Sequence, residues 1–98
     1  LVVLNFKAAE GQFGALGDMF RAVLGDTRAF DGCIKVDTYE DEENSTITLV
    51  EEWETLAHQQ MYLAWRVETG IHEATKDILE GGFDNGVTVH IWGKKTDI

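Results

Sequence analysis

Residues 33–53, CIKVDTYEDEENSTITLVEEW, decide the fold, because they hold two β-forming runs separated by a short acidic break. From Cys33 to Tyr39 the chain alternates, with Ile34 and Val36 on one side and Lys35 and Asp37 on the other. The second run, Thr46 to Trp53, is rich in β-branched and aromatic residues that favour a pleated surface. Between them lie Glu40-Asp41-Glu42-Glu43 and Asn44-Ser45. Two such runs joined by turn-forming polar residues read as an antiparallel hairpin with a charged tip. The four acids need no metal or partner to explain them, since a solvated tip accommodates like charges.

Upstream of the hairpin, Asp31-Gly32 marks a turn, and before it Phe13, Leu16, Phe20, Val23 and Leu24 recur at helical spacing. This predicts an amphipathic helix from Gln12 to about Ala29. Three glycines inside it, Gly14, Gly17 and Gly25, each cost about 1 kcal/mol relative to Ala, so packing must hold it. The opening Leu1-Val2-Val3-Leu4-Asn5-Phe6-Lys7 reads as a buried strand that Glu10-Gly11 stops. Downstream, Leu56, Gln60, Leu63 and Val67 predict a second helix from about Thr55, broken at Gly70. Ile71, Ala74, Thr75, Ile78 and Leu79 continue the helical pattern until Gly81-Gly82 ends it. Asp84-Asn85-Gly86 is rich in turn residues, Val87 to Trp92 alternates as a last strand, and Gly93 to Ile98 trails off.

The order β-α-β-β-α-α-β predicts a single α+β domain over residues 1–98, with helices on one face of an antiparallel sheet. Phe6, Tyr39, Trp53 and Trp92 put large side chains on both faces of the strands, and one helical layer covers only one face. A large apolar face left open on a small domain marks an interface, so a homodimer packed sheet to sheet is expected.

Composition bounds the partners. Eight Lys and Arg against 18 Asp and Glu give a net charge of −10, which excludes phosphate backbones and anionic lipid surfaces as partners. Neither nucleic acid nor membrane is expected. With 44% hydrophobic residues, the 98-residue chain is rich enough in apolar side chains to bury a core without staples. The lone Cys33 has no intramolecular disulfide partner and fits a reducing, cytoplasmic setting.

The element order, the Asp31-Gly32-Cys33 turn, the Glu51-Glu52-Trp53-Glu54 ending of the third strand and the helix pair after it resemble one family. They are similar to the antibiotic biosynthesis monooxygenase-like domains of the dimeric α/β-barrel superfamily, from about Leu1 to Trp92. The resemblance implies a ferredoxin-like fold that dimerises through its sheets into a barrel, with a pocket between sheet and second helical region. Its members include cofactor-independent oxygenases of aromatic polyketides and quinols, haem-degrading enzymes, enzymes that process a bacterial signalling molecule, and proteins without a known activity. Function must therefore be argued from the site.

Three functional readings follow. The first is a cofactor-independent monooxygenase of a small aromatic, quinol or polyketide-type substrate. It needs a base and donors for a developing oxyanion, which His72 as base, Asn5 and Tyr62 as orienting groups, and Trp65 and Trp53 as walls would supply. The second is a non-catalytic small-molecule binding or dimerisation module of the same fold. The third, implied by the haem-degrading branch, uses Asn5, Tyr62 or Trp65, and His72 as iron ligand. Against haem stand Tyr62 where that branch has Trp, the neighbouring Glu73, and the scarcity of cations for propionates. His58, His72 and His90 fall on three different elements without a ligand spacing, so no metal is expected. Asn5 is the most unusual of the candidates, because an amide in an apolar strand must find partners or lose stability.

Overall fold

Burial alternates along β1 (Val2–Lys7): Val2, Leu4 and Phe6 are buried, whereas Asn5 and Lys7 are exposed. The same period of two runs through β3 (Thr46–Trp53), where Ile47, Leu49, Glu51 and Trp53 are buried. A computed structural model describes residues 1–93 and 95–98; Lys94, in the trailing segment, lies outside the described residues. With β2 (Cys33–Asp41) and β4 (Val87–Ile91), these strands form a four-stranded sheet in the order β2-β3-β1-β4. All three pairings are antiparallel. The fold is thus the ferredoxin-like α+β arrangement expected from the sequence.

One face of the sheet is covered by α1 (Phe13–Ala29) and α2 (Leu56–Glu68). Helix α1 buries Leu16, Phe20, Leu24 and Thr27, and Phe20 meets Phe6 edge to face at 4.9 Å. This apolar stripe outweighs the propensity cost of the three internal glycines, since each fully buried Leu or Phe contributes about 1.5–3 kcal/mol. Thr55 caps α2, its hydroxyl accepting the His58 backbone N–H at 3.2 Å. The turn before β2 needs Gly32, whose φ is +86° and whose missing side chain makes room for the His58 ring. The hairpin tip is exposed and solvated, as its charge suggests.

Two differences from the sequence expectation have physical causes. The helical pattern after Gly70 runs to Leu79, but α3 (Ile71–Thr75) is one short turn. Beyond it the chain bonds to the end of β1 instead: the Ala9 N–H donates to the Ile78 carbonyl and the Glu80 N–H to the Lys7 carbonyl. Leu79 is thereby buried to 1% exposure, so tertiary packing overrides periodicity. Gly81 and Gly82, both at positive φ, then turn the chain into α4 (Gly82–Gly86), a short helix where a plain turn was expected.

The second difference concerns the open face of the sheet. Phe6 and Trp53 both face the helices, so they contribute nothing to the opposite face. That face is mixed: Asn5 pairs across to Thr48 and Thr88, Tyr39 lies opposite Thr48, and Val3 lies between Val50 and His90. It is less apolar than the sequence suggested, because Thr46, Thr48 and Glu52 of β3 and Asn5 and Lys7 of β1 occupy outward positions of the two central strands. Among the described residues, no helix is long and apolar enough to cross a membrane.

Candidate functional site

Strand alternation buries one charged side chain on the helix-covered face. Glu51 follows Ile47 and Leu49 by twos and is 2% exposed. Burial pushes its carboxyl above the usual carboxylate value, because the charged form loses its water; the Trp53 indole N–H, donating to Oε1 at 3.0 Å, pulls more weakly the other way. The second oxygen has no hydrogen-bond partner among the described residues. This carboxyl looks into an apolar cavity of about 50 Å³ between sheet and helices, walled by Leu4, Phe6, Phe20, Leu49, Leu63, Ile71 and Phe83.

Tyr62 and Arg66, one turn apart on α2, form the polar part of the opposite wall. The Arg66 Nε–H donates to the Tyr62 hydroxyl at 2.6 Å, and Nη2 donates to the Val23 carbonyl at 2.9 Å and to Thr27 Oγ1 at 3.1 Å. Thr27 and Tyr62 close the network with a hydroxyl–hydroxyl bond of 2.6 Å. The guanidinium also lies over the Tyr62 and Trp65 rings, at 5.2 and 4.7 Å from their centroids. No ion pair joins Arg66 to an acid among the described residues, and its Nη1 has no hydrogen bond there. The site therefore combines a carboxyl whose proton is held more tightly than usual with a fixed cation that lies over two aromatic faces.

The five residues singled out from sequence separate into three places. Trp53, Tyr62 and Trp65 do come together around Phe30, with Trp53 and Tyr62 centroids 5.2 Å apart and Tyr62 and Trp65 6.2 Å apart. His72 is outside the cavity: its side chain is 48% exposed, Nε2 lies 3.0 Å from Asp84 Oδ1, and the ring packs on Phe83. It ties α3 to α4 and so holds Ile71 and Phe83 in the cavity wall. Asn5 is on the opposite face of the sheet, where Thr48 Oγ1 donates to its Oδ1 at 2.5 Å. The expected cavity lined jointly by Asn5, Tyr62 and His72 is thus corrected: β1 alternation turns Asn5 away, and the short α3 directs His72 outward. Sequence reasoning missed Glu51 and Arg66. The signals were present, as an acid in phase with Leu49 and Trp53, and a cation four residues after Tyr62.

Two further groups complete the electrostatics. The Cys33 thiol is pushed up by burial first and by the Glu51 charge second, which keeps it protonated and poorly nucleophilic. His58 lies 3.8 Å from Asp31 and 3.9 Å from Glu54, all at the surface end of α2. Among the described residues, no group of three or more His, Cys, Asp and Glu side chains could hold a metal ion.

A family model described as antibiotic biosynthesis monooxygenase matches residues 1–76, a span that contains both strands and the helix that build this site. The chain belongs to the antibiotic biosynthesis monooxygenase family. Solved structures agree on the fold. A protein of Pseudomonas aeruginosa superposes with a TM-score of 0.78 at 20% identity, covering 97% of this chain and 92% of its own. A protein described as an antibiotic biosynthesis monooxygenase gives 0.77 at 16% identity, with 97% of both chains covered. A conserved protein of Methanosarcina mazei gives 0.76 at 19% identity, covering 96% and 90%. At these identities the likeness establishes the family's fold and leaves the chemistry to the side chains. No curated protein matches the chain.

Proposed function

We propose that the chain is a cofactor-independent monooxygenase-like enzyme of a small aromatic, quinol or polyketide-type substrate, with Glu51 in place of His72 as the proton acceptor. The observation that carries this reading is the buried Glu51 carboxyl, its value raised by burial, facing an otherwise apolar cavity. A base whose value lies above the ordinary carboxylate range is better matched to removing a weakly acidic proton near neutral pH.

In the proposed reaction Glu51 takes a proton from an aromatic-flanked CH₂ whose carbanion is delocalised onto a ring oxygen. The Arg66 Nη1 N–H donates to that oxygen as its charge develops. Dioxygen accepts four electrons from the carbon. One oxygen atom stays as the new carbonyl, and the other leaves as water with the two protons the carbon has lost. No external reductant is required. The cavity of about 50 Å³ is smaller than the roughly 150 Å³ that accommodates benzene in an engineered core, so the Ile71–Phe83 wall must move outward to admit a ring.

That small volume also favours the second reading, a non-catalytic small-molecule binding or dimerisation module of the same fold, on its dimerisation side. Oxygen uptake with a panel of anthrones and quinols separates the two. Consumption by the wild type that is lost in Glu51→Gln supports the enzyme; no consumption with any substrate sinks it. Haem fits the observed residues poorly, because the His72 imidazole is committed to Asp84 outside the cavity and Asn5 lies behind the sheet.

We also propose a homodimer through the open sheet face, centred on Tyr39, which is 59% exposed, with Val3 and Val50 beside it. Sedimentation that gives a monomer at micromolar concentration removes this proposal. The unpaired Cys33 supports a cytoplasmic location.

A further inference from the structure

Trp53 links Glu51 to a second space. Its indole N–H is spent on Glu51, while its ring also lines a larger groove of about 560 Å³ at the end of the sheet, with Val2, Leu56, Gln59, Ile91 and Trp92. The volume falls within the usual range for small-molecule sites, and the walls are mainly aliphatic and aromatic.

One residue is out of place in such a wall. Gln59, the one buried residue of α2, keeps 4% exposure, yet its carboxamide makes no hydrogen bond among the described residues. No buried side-chain nitrogen or oxygen lacks a partner there, so the small exposed part of Gln59 includes both ends of its carboxamide, which open onto the groove. An amide in an apolar wall costs free energy unless it is paired, and a Leu or Met at this position would suit the helix and the packing better. The side chain is therefore explained by something that enters the groove and pairs with it.

We infer that the groove binds a neutral, planar aromatic molecule bearing a hydrogen-bond donor beside an acceptor. The ligand's donor meets the Gln59 carbonyl oxygen, its acceptor meets the Gln59 NH₂, and its ring packs against Trp53, Leu56 and Ile91. The ligand is neutral because, among the described lining residues, the one charged side chain is Glu54, and the whole chain carries −10. The inference does not rest on the oxygenase reading, since binding is measured without turnover.

Calorimetric titration of the full chain with 2-quinolone, whose lactam places N–H beside C=O, tests this directly. N-methyl-2-quinolone lacks the donor, and quinoline-2-carboxylate adds a negative charge. Saturable binding of 2-quinolone is expected, weakened about tenfold or more by N-methylation and by Gln59→Leu, with no further effect of methylation in that variant. The carboxylate should not bind. Indole N–H resonances identify the location, with the Trp53 signal moving on titration. Equal affinities for 2-quinolone and its N-methyl analogue in the wild type overturn the proposal whether or not Gln59→Leu folds. So does an absence of saturable binding.

Discussion

Replacing Glu51 with Gln should stabilise the protein, and the gain should depend on pH in a direction fixed by the burial. In the unfolded chain the carboxyl has its ordinary value of 4.5, and in the folded chain desolvation raises it. The folded state thus holds this proton more tightly than the unfolded one. Stability tied to the group is complete below about pH 4.5 and is lost as pH rises through the folded value. The carboxamide of the Glu51→Gln variant has no such proton to lose. It keeps an oxygen for the Trp53 indole N–H and removes the buried charge, so the variant's advantage grows across that window and levels off above it. The scale follows from the geometry: a carboxylate with one oxygen satisfied and the other facing an apolar cavity costs about 1–3 kcal/mol. For a domain of this size, 1 kcal/mol moves Tm by roughly 4–8 °C. Thermal melts of both proteins from pH 4 to pH 8, at one protein concentration, isolate the effect because every other titrating group is shared. The curves should meet near pH 4 and separate by several degrees at pH 8. Parallel curves, or a wild type that becomes the more stable protein at high pH, refute the reasoning and indicate that the ionised carboxyl has a compensating partner.

Three other outcomes follow from the same geometry. Tyr62→Phe removes the hydroxyl shared by Arg66 and Thr27 and should cost about 1–3 kcal/mol in urea unfolding; a cycle with Thr27→Val should be non-additive, because both changes break one network. Gly32→Ala drives a Cβ into the His58 ring at a φ of +86°, so a loss of at least about 2 kcal/mol is expected, and a neutral result would mean that the turn relaxes freely. His72→Ala breaks an exposed pair with Asp84 and the ring's contact with Phe83, and should lower stability by about 1 kcal/mol, with increased protease sensitivity near α3 and α4 as the sign that these helices are loosened.

Periodicity was a sound guide wherever local pattern and tertiary demand agreed. The limits of β3 read from sequence match the observed strand, and those of α1 and α2 differ by about a residue, because strand alternation and the helical stripe coincide with what the core buries. The reading failed at Ile78 and Leu79, where hydrogen bonds to the end of β1 take the chain out of a helix its spacing favours. Asn5 shows a different limit. An amide in an apolar strand does signal something, but its phase relative to Leu4 and Phe6 already places it with Lys7 on the opposite side of the sheet. The same phase rule applied to Glu51 would have found the buried carboxyl. Within Glu51-Glu52-Trp53-Glu54 it is phase, not charge, that distinguishes Glu51 from the acids around it.

The strand order carries a cost during synthesis. β1 sits between β3 and β4, so its Val2 is paired on one side with Glu51 and on the other with Ile91. Of the four strands of this sheet, the first made is completed only by the fourth. At about 5–20 residues per second, β1 waits several seconds with an unpaired edge, and contacts so distant in sequence slow the final docking step. Lys7 at the end of that strand and the exposed acids of the β2–β3 tip are then charges that keep the nascent edge from pairing with a neighbouring chain. The acids of the tip thus place like charge beside the unfinished edge, where it disfavours pairing with a second copy of the chain.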